Sequence, residues 1–242
     1  MQNGFLDIHC HILPGVDDGS KDEQMTRQML QMTYDQGMRT IVATPHYYPG
    51  KTKIPSGKIR RMVEEVDTMA KEIDRDFSVF PGNEILYEDG IVQGLKDGTI
   101  LSLADSRYVL VEFLPQENKR RIEEGIRRLM EAGYAPEIAH VERVDELFGN
   151  EFFAKFLHEM GCYMQVNTQT VMGGFFDGNA RKAKQWMEKG YIQFLGSDCH
   201  NTTGRAPLMA DAIHKLEKNI SEAAVRRMVY DNPAKFLEKK YI

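Results

Sequence analysis

Hydrophobic positions along the chain follow two alternating rhythms. Short runs are apolar on consecutive residues or nearly so: Phe5–Ile8, Thr40–Ala43, Phe77–Phe80, Tyr108–Val111, Pro136–Ala139, Tyr163–Val166 and Ile192–Leu195. Runs of this kind predict strands buried on both faces. Between them apolar residues recur at helical spacing. Ile59, Met62, Val63, Val66, Met69, Ala70 and Ile73 form one stripe, and Leu208, Met209, Ala212, Ile213 and Leu216 form another; each predicts an amphipathic helix. Glu23–Gln36, Lys119–Ala132, Phe152–Met160 and Asn179–Lys189 read as helices too. Gly37, Gly133, Gly161 and Gly190 stand just past these four, where a left-handed cap is favoured. The tail predicts a helix over Ser221–Val229 and a final short turn opened by Asn232–Pro233. The stretch 81–107, with Gly82, Gly90, Gly94 and Gly98, reads as a loop excursion with room for a short hairpin.

Seven strands alternating with helices predict an α/β fold with a parallel sheet, either open and doubly wound or closed as a barrel. No glycine-rich phosphate loop follows the first strand, so a nucleotide-binding doubly wound sheet loses ground. No internal repeat or low-complexity linker divides the chain, and residues 1–242 read as one domain. The 31 Lys+Arg against 36 Asp+Glu give a net charge of −5, which leaves no basic excess to neutralise a nucleic acid. Cys10, Cys162 and Cys199 are too few and too scattered for a disulfide framework. With no signal-peptide pattern and no long apolar run, the expectation is a cytoplasmic enzyme without membrane insertion.

What stands at the end of each predicted strand changes the picture. The first run leads into His9-Cys10-His11, the second into Thr44-Pro45-His46 and the third into Pro81-Gly82-Asn83-Glu84. The remaining four end at Glu112, at His140 followed by Glu142 and Arg143, at Asn167, and at Asp198-Cys199-His200. In a parallel barrel these ends share one rim, where active sites of that architecture form. Imidazoles and carboxylates suit Mn, Fe or Zn. Eight ligands exceed the needs of one ion, so two or three metals bridged by carboxylates are expected; such ions clamp a phosphoryl group and supply a hydroxide nucleophile. His158 and His214 fall on helix surfaces, and Asp17-Asp18-Gly19 is either a plain turn or the source of one more ligand.

Cys199-His-Asn-Thr-Thr-Gly-Arg205 also fits C-x5-R, the pattern of cysteine-dependent phosphatases. The preceding Asp198 disfavours a reactive thiolate there, and Asp198 and His200 flank the cysteine as a natural ligand pair. The metal reading is the stronger one.

The sequences D-I-H-x-H, T-P-H, G-N-E, V-E-F, A-H-V-E-R and G-S-D-x-H-N with a following G-R resemble the PHP superfamily, in the family's order and over essentially the whole chain. D-I-H-C-H-I-L-P-G-V-D-D-G and A-H-V-E-R resemble more narrowly the bacterial manganese-dependent protein-tyrosine phosphatases of capsule and exopolysaccharide operons. The resemblance implies a distorted (β/α)7 TIM-like barrel, the PHP fold, with a trinuclear site. His9, His11, Glu84 and Asp198 would hold one metal; Glu84 would bridge to a second, completed by Glu112 and His140. His46 and His200 would hold the third with an aspartate from Asp17-Asp18. Arg143 and Arg205 match positions near the phosphate, where a planar guanidinium suits bidentate capture of oxygens.

The resemblance further implies hydrolysis of phosphotyrosine by a Mn2+-activated hydroxide; a phenol leaving group gains from a general acid, and Asp18 is the candidate for it. The resemblance also implies a substrate in the tyrosine-rich tail of an autophosphorylating bacterial tyrosine kinase. Tyr47, with Tyr48, is the candidate aromatic side of the entrance. Lys51, Lys53, Lys58, Arg60 and Arg61 make that region locally basic, fit to steer an acidic tail. A small-molecule PHP phosphatase, such as one acting on histidinol phosphate, is the alternative that shares the same metals.

Overall fold

A computed structural model of the chain describes residues 4–52, 54–174, 176–240 and 242; Lys53 of the basic stretch lies outside them. The first half runs β1 (Phe5–Cys10), α1 (Glu23–Asp35), β2 (Met38–Ala43), β3 (His46–Tyr47), α2 (Ser56–Ile73), β4 (Ser78–Pro81), β5 (Glu84–Leu86), α3 (Ile91–Asp97), β6 (Tyr108–Glu112) and α4 (Lys119–Glu131). The second half runs β7 (Ala135–Ile138), α5 (Asp145–Phe148), α6 (Glu151–Met160), β8 (Tyr163–Asn167), α7 (Thr168–Val171), α8 (Gly178–Glu188), β9 (Phe194–Gly196), α9 (Met209–Glu217), α10 (Glu222–Arg226) and α11 (Asn232–Glu238).

Each of the seven expected runs carries a strand, and all pairings between strands are parallel. Two short strands were not expected. Beyond β2 the chain breaks at Thr44-Pro45, and beyond β4 at Gly82-Asn83, before resuming as β3 and β5. Proline has no N–H for a ladder, so the break at Pro45 lets the chain change partners. The sheets are therefore β1-β2-β4 and β3-β5-β6-β7-β8-β9. Asn83 pins the second break: its amide donates to the Pro45 carbonyl and its Oδ1 accepts from the Leu101 N–H. A parallel bridge between Cys10 and Cys199 ties the end of β1 to the chain just past β9. The result is a curled parallel sheet.

Two expectations need correction. The 81–107 excursion holds no hairpin; β5 joins the parallel sheet and α3 follows it. The tail does not end in a turn, because a π-helical stretch at Arg227–Asp231 runs from α10 straight into α11.

Side-chain oxygens of Asp22, Asn118, Asn150, Asp177 and Ser221 accept N–H groups at the starts of α1, α4, α6, α8 and α10. The helices cover the outer face of the sheet, where Val109 and Val111 meet Ile122, Ile126 and Leu129. The inner face carries Ile8, Val42, Leu110, Ala135 and Ala139. Phe236 of α11 lies 4.4 Å from the Tyr108 ring and 5.1 Å from that of Phe194. Tyr108 and Phe194 begin their strands, so α11 plugs the N-terminal end of the curl and leaves the strand C-termini for chemistry.

Candidate metal centre

His9 lies on β1 and His11 just past its end, and the two side chains, two apart in sequence, project the same way. Their Nε2 atoms lie 3.3 Å apart, both buried. Glu84 opens β5, opposite Leu110 on one side and His46 on the other. Its Oε2 is 3.3 Å from His9 Nε2, 3.2 Å from His11 Nε2 and 2.9 Å from His46 Nδ1. Its Oε1 is 2.6 Å from His140 Nε2, which lies 3.6 Å from Glu112 Oε1. Asp198 Oδ1 completes the first set, 3.5 Å from Nε2 of both His9 and His11. The expected eight ligand residues thus come together from six different strand ends.

Three overlapping groups have ligand atoms within 4.8 Å of one another: His9, His11, Glu84 and Asp198; His11, Asp18, His46 and His200; and His46, Glu84 and Glu112. The first matches the expected set. The others differ in detail, because His46 faces Glu84 through Nδ1 and Asp18 through Nε2, at 3.3 Å. Asp17 and Asp18 face different imidazoles. Asp18 Oδ1 sits between His46 and His200, whereas Asp17 Oδ2 lies 2.8 Å from His11 Nδ1 and accepts the His46 backbone N–H. Asp17 thereby fixes the His11 tautomer and leaves Nε2 for the cluster. Gly19 makes that turn possible, since a Cβ there would stand 2.2 Å from the His11 carbonyl oxygen.

The electrostatics suit cations. Burial raises the Glu112 carboxyl, and the Glu84 charge raises it further. Burial also pushes Glu84 up, but His9 and the other imidazoles outweigh it and hold the carboxyl well below its usual range. His200 is pulled down to about 4, first by burial and then by the charge of His11, which favours its neutral imidazole. Its Nε2 is buried without a hydrogen-bond partner, as are Glu84 Oε2 and His46 Nδ1. Buried lone pairs converging from nitrogen and oxygen fit borderline divalent ions. His140 and Asp198 both hold left-handed backbones, at φ 31° and 50°. That conformation costs a non-glycine residue roughly 1–2 kcal/mol and here aims both side chains inward.

Arg143 and Arg205 each donate through Nη2 to Asp198 Oδ2, at 2.8 and 2.7 Å, and remain partly exposed at the rim. Asn167 Nδ2 donates to the same oxygen at 2.7 Å. Gln165 is a residue the sequence reading passed over. Its Oε1 accepts the His140 N–H and lies 3.1 Å from His9 Nδ1, while its amide donates to Asn167. Gly196 admits it: a Cβ there would fall 2.8 Å from Gln165 Nε2 and 2.9 Å from His9 Cβ. A polar residue inside an otherwise apolar strand was the available signal.

Tyr47 is displaced from its expected place. It alternates with His46 on β3, so its ring packs into the outer core and Tyr48 stacks on His46 instead, with ring centroids 4.9 Å apart. Within the basic stretch, Arg60 is tied to Asp105 through two hydrogen bonds, and Lys51, Lys58 and Arg61 are exposed. His158 contacts Gln193 and His214 is solvent-exposed, both outside the cluster as expected. Cys199 is fully buried with its Sγ 3.1 Å from that of Cys10, and Arg205 is turned to Asp198. The C-x5-R arrangement therefore presents no accessible nucleophile.

The family described as "Capsular polysaccharide synthesis, CpsB/CapC" matches residues 5–238. The tyrosine-protein phosphatase CpsB of Streptococcus pneumoniae is 34% identical over 243 residues, spanning 98% of this chain and all of the relative. The tyrosine-protein phosphatase YwqE of Bacillus subtilis is 34% identical over 214 residues, 88% of this chain and 84% of the relative. Among solved structures, those of YwqE and CpsB, described as unique metal-dependent tyrosine phosphatases, include a chain superposing with a TM-score of 0.90 at 32% identity. The match covers 98% of this chain and 96% of that one. On the strength of these matches, the chain belongs to the CpsB/CapC family.

Proposed function

We propose that the protein is a metal-dependent phosphotyrosine-protein phosphatase of capsule or exopolysaccharide regulation, acting in the cytoplasm on the phosphorylated tyrosine-rich tail of a bacterial tyrosine kinase. The observation that carries this reading is the convergence of five histidines and four carboxylates beside two arginines, in a chain whose relatives are named tyrosine phosphatases. In the same reading the curled sheet is a distorted (β/α)7 barrel, supported by seven strand positions and the Cys10–Cys199 bridge. Among the described residues no helix is long and apolar enough to cross a membrane.

His9, His11, Glu84 and Asp198 would hold one ion; Glu84, Glu112 and His140 a second; and His46, His200 and Asp18 a third. Mn2+ is the ion proposed, and Fe or Zn suits the same donors. Bound divalent ions supply Lewis acidity and a nucleophile from water at neutral pH. The chain's own residues supply the rest. Arg143 and Arg205 each commit one Nη2 to Asp198 and retain further N–H groups for phosphate oxygens, the planar donors that phosphate geometry matches. Their positive charge opposes the charge that builds on those oxygens during transfer. Asp17 and Gln165 fix the imidazoles of His11 and His9. Asp18 lies between two imidazoles and 3.8 Å from Arg205, which fits a ligand better than the general acid expected of it. A phenolate whose conjugate acid has a pKa of about 10 departs without strong acid assistance.

The test is phosphate release from a phosphotyrosine peptide and from histidinol phosphate at equal concentration. Faster turnover of the peptide is expected; turnover of the small molecule alone would replace this reading with the small-molecule alternative.

A further inference from the structure

A cavity of about 440 Å3 opens beside the metal cluster and shares two walls with it, Asp18 and His46. That volume falls in the usual range for small-ligand sites. Its other walls differ in character from the cluster. Tyr48 stacks on His46 at an interplanar angle of 21°, and Val16 and Ile54 present apolar surface. The walls are built before any ligand arrives. Val16 and Ile54 pack their backs on the core of α1 and α2. The turn carrying Tyr48 is closed by the Lys51 and Thr52 N–H groups donating to the Tyr48 carbonyl, and by the Tyr48 N–H donating to Thr52 Oγ1.

We propose that this cavity receives the aromatic ring of the scissile phosphomonoester, making Val16, Tyr48 and Ile54 the residues that select an aryl over an alkyl phosphate. The inference rests on the phosphatase reading. Asp18 and His46 belong both to this cavity and to the proposed ion site, and Arg205 lies 3.8 Å from Asp18, so a phosphate held by the arginines and an ion there would place its ester oxygen beside the cavity. The group beyond that oxygen then meets apolar and aromatic surface. A phenyl ring gains by burial and by an offset or edge contact with Tyr48. A serine or threonine stem is too short to fill the space and leaves it wet. Lys51 at the outer wall suits an acidic residue next to the phosphotyrosine.

The experiment uses the metal-loaded full chain and three variants, Ile54→Trp and Val16→Trp, which fill the cavity, and Tyr48→Leu, which keeps it apolar but removes the stacking face. Each is assayed with a phosphotyrosine peptide, with phosphoserine, and with inorganic phosphate as a competitive inhibitor. The two tryptophan variants should raise KM for the peptide roughly tenfold while the inhibition constant for phosphate stays within about twofold. Tyr48→Leu should narrow the preference for the peptide over phosphoserine. An unchanged peptide KM in both tryptophan variants overturns the proposal, and so does a phosphate inhibition constant that rises in step with KM. Absence of peptide turnover by the unsubstituted protein instead removes the phosphatase reading, and this inference with it.

Discussion

At the scale of single residues, the cluster separates groups that would touch an ion from groups that aim them. Gln165→Leu removes the acceptor facing His9 Nδ1 and the one that receives the His140 N–H. Loss of such an orienting partner typically weakens metal affinity about 10–100-fold, and titration of the stripped protein with Mn2+ should show a shift of that size. Arg143→Ala and Arg205→Ala each remove a charged donor, worth about 1.5–3 kcal/mol. Initial-rate kinetics should then show kcat/KM falling roughly ten- to a hundredfold. Cys199→Ser should keep the activity, because the thiol faces Cys10 in the interior rather than the mouth. Loss of activity in that variant with metal content intact would restore the cysteine reading. The candidate ligands were legible in the sequence because each lies within five residues after an apolar run, His9, Glu112 and His140 directly after theirs, a position that topology sends to one rim. The division of labour between Asp17 and Asp18 was not legible, since a turn of two aspartates does not reveal which carboxylate faces which imidazole. Tyr47 and Tyr48 posed the same difficulty. A strand too short to show its alternation, β3, decides which of the two reaches His46.

At the scale of elements, the strand-to-site junctions depend on close backbone approach and on one unusual carboxyl. Gly196 ends β9 against Gln165 and His9, and Gly196→Ala should destabilise the fold by about 1–3 kcal/mol, read as a lower denaturant midpoint. Glu137 of β7 is fully buried and neither of its carboxylate oxygens has a hydrogen-bond partner; burial raises its pKa well above the ordinary range. A carboxyl raised on folding favours the native state below its unfolded pKa of about 4.3, and that contribution is lost as pH climbs toward the raised value. Glu137→Gln should therefore lose less stability than the unsubstituted protein between about pH 5 and pH 8, measured by urea unfolding at each pH. The seven main strands were visible as apolar runs, and the helix ends were marked by Gly37, Gly133, Gly161 and Gly190, all of which adopt positive φ. The partner switches at Pro45 and Gly82 were not visible. A break in a strand reads from sequence as its end, whereas here the chain resumes two residues later in the other sheet.

At the scale of the molecule, a net charge of −5 conceals a local reversal. Five of the acids, Asp17, Asp18, Glu84, Glu112 and Asp198, are gathered against imidazoles, with Arg143 and Arg205 alongside. Divalent ions bound there turn an acidic rim into a phosphate-attracting one. Because imidazoles must be neutral to ligate, the ions compete with protons. The carboxylates of Glu84 and Asp198 raise the His9 pKa against the opposing effect of burial, so metal affinity should fall as pH drops below neutrality. The most direct check of the whole account is phosphate release from a phosphotyrosine peptide by chelator-stripped protein during stepwise return of Mn2+. The account predicts negligible activity without metal and recovery that saturates only after more than one equivalent is bound. Full activity in the stripped protein, with residual metal excluded by elemental analysis, would contradict it.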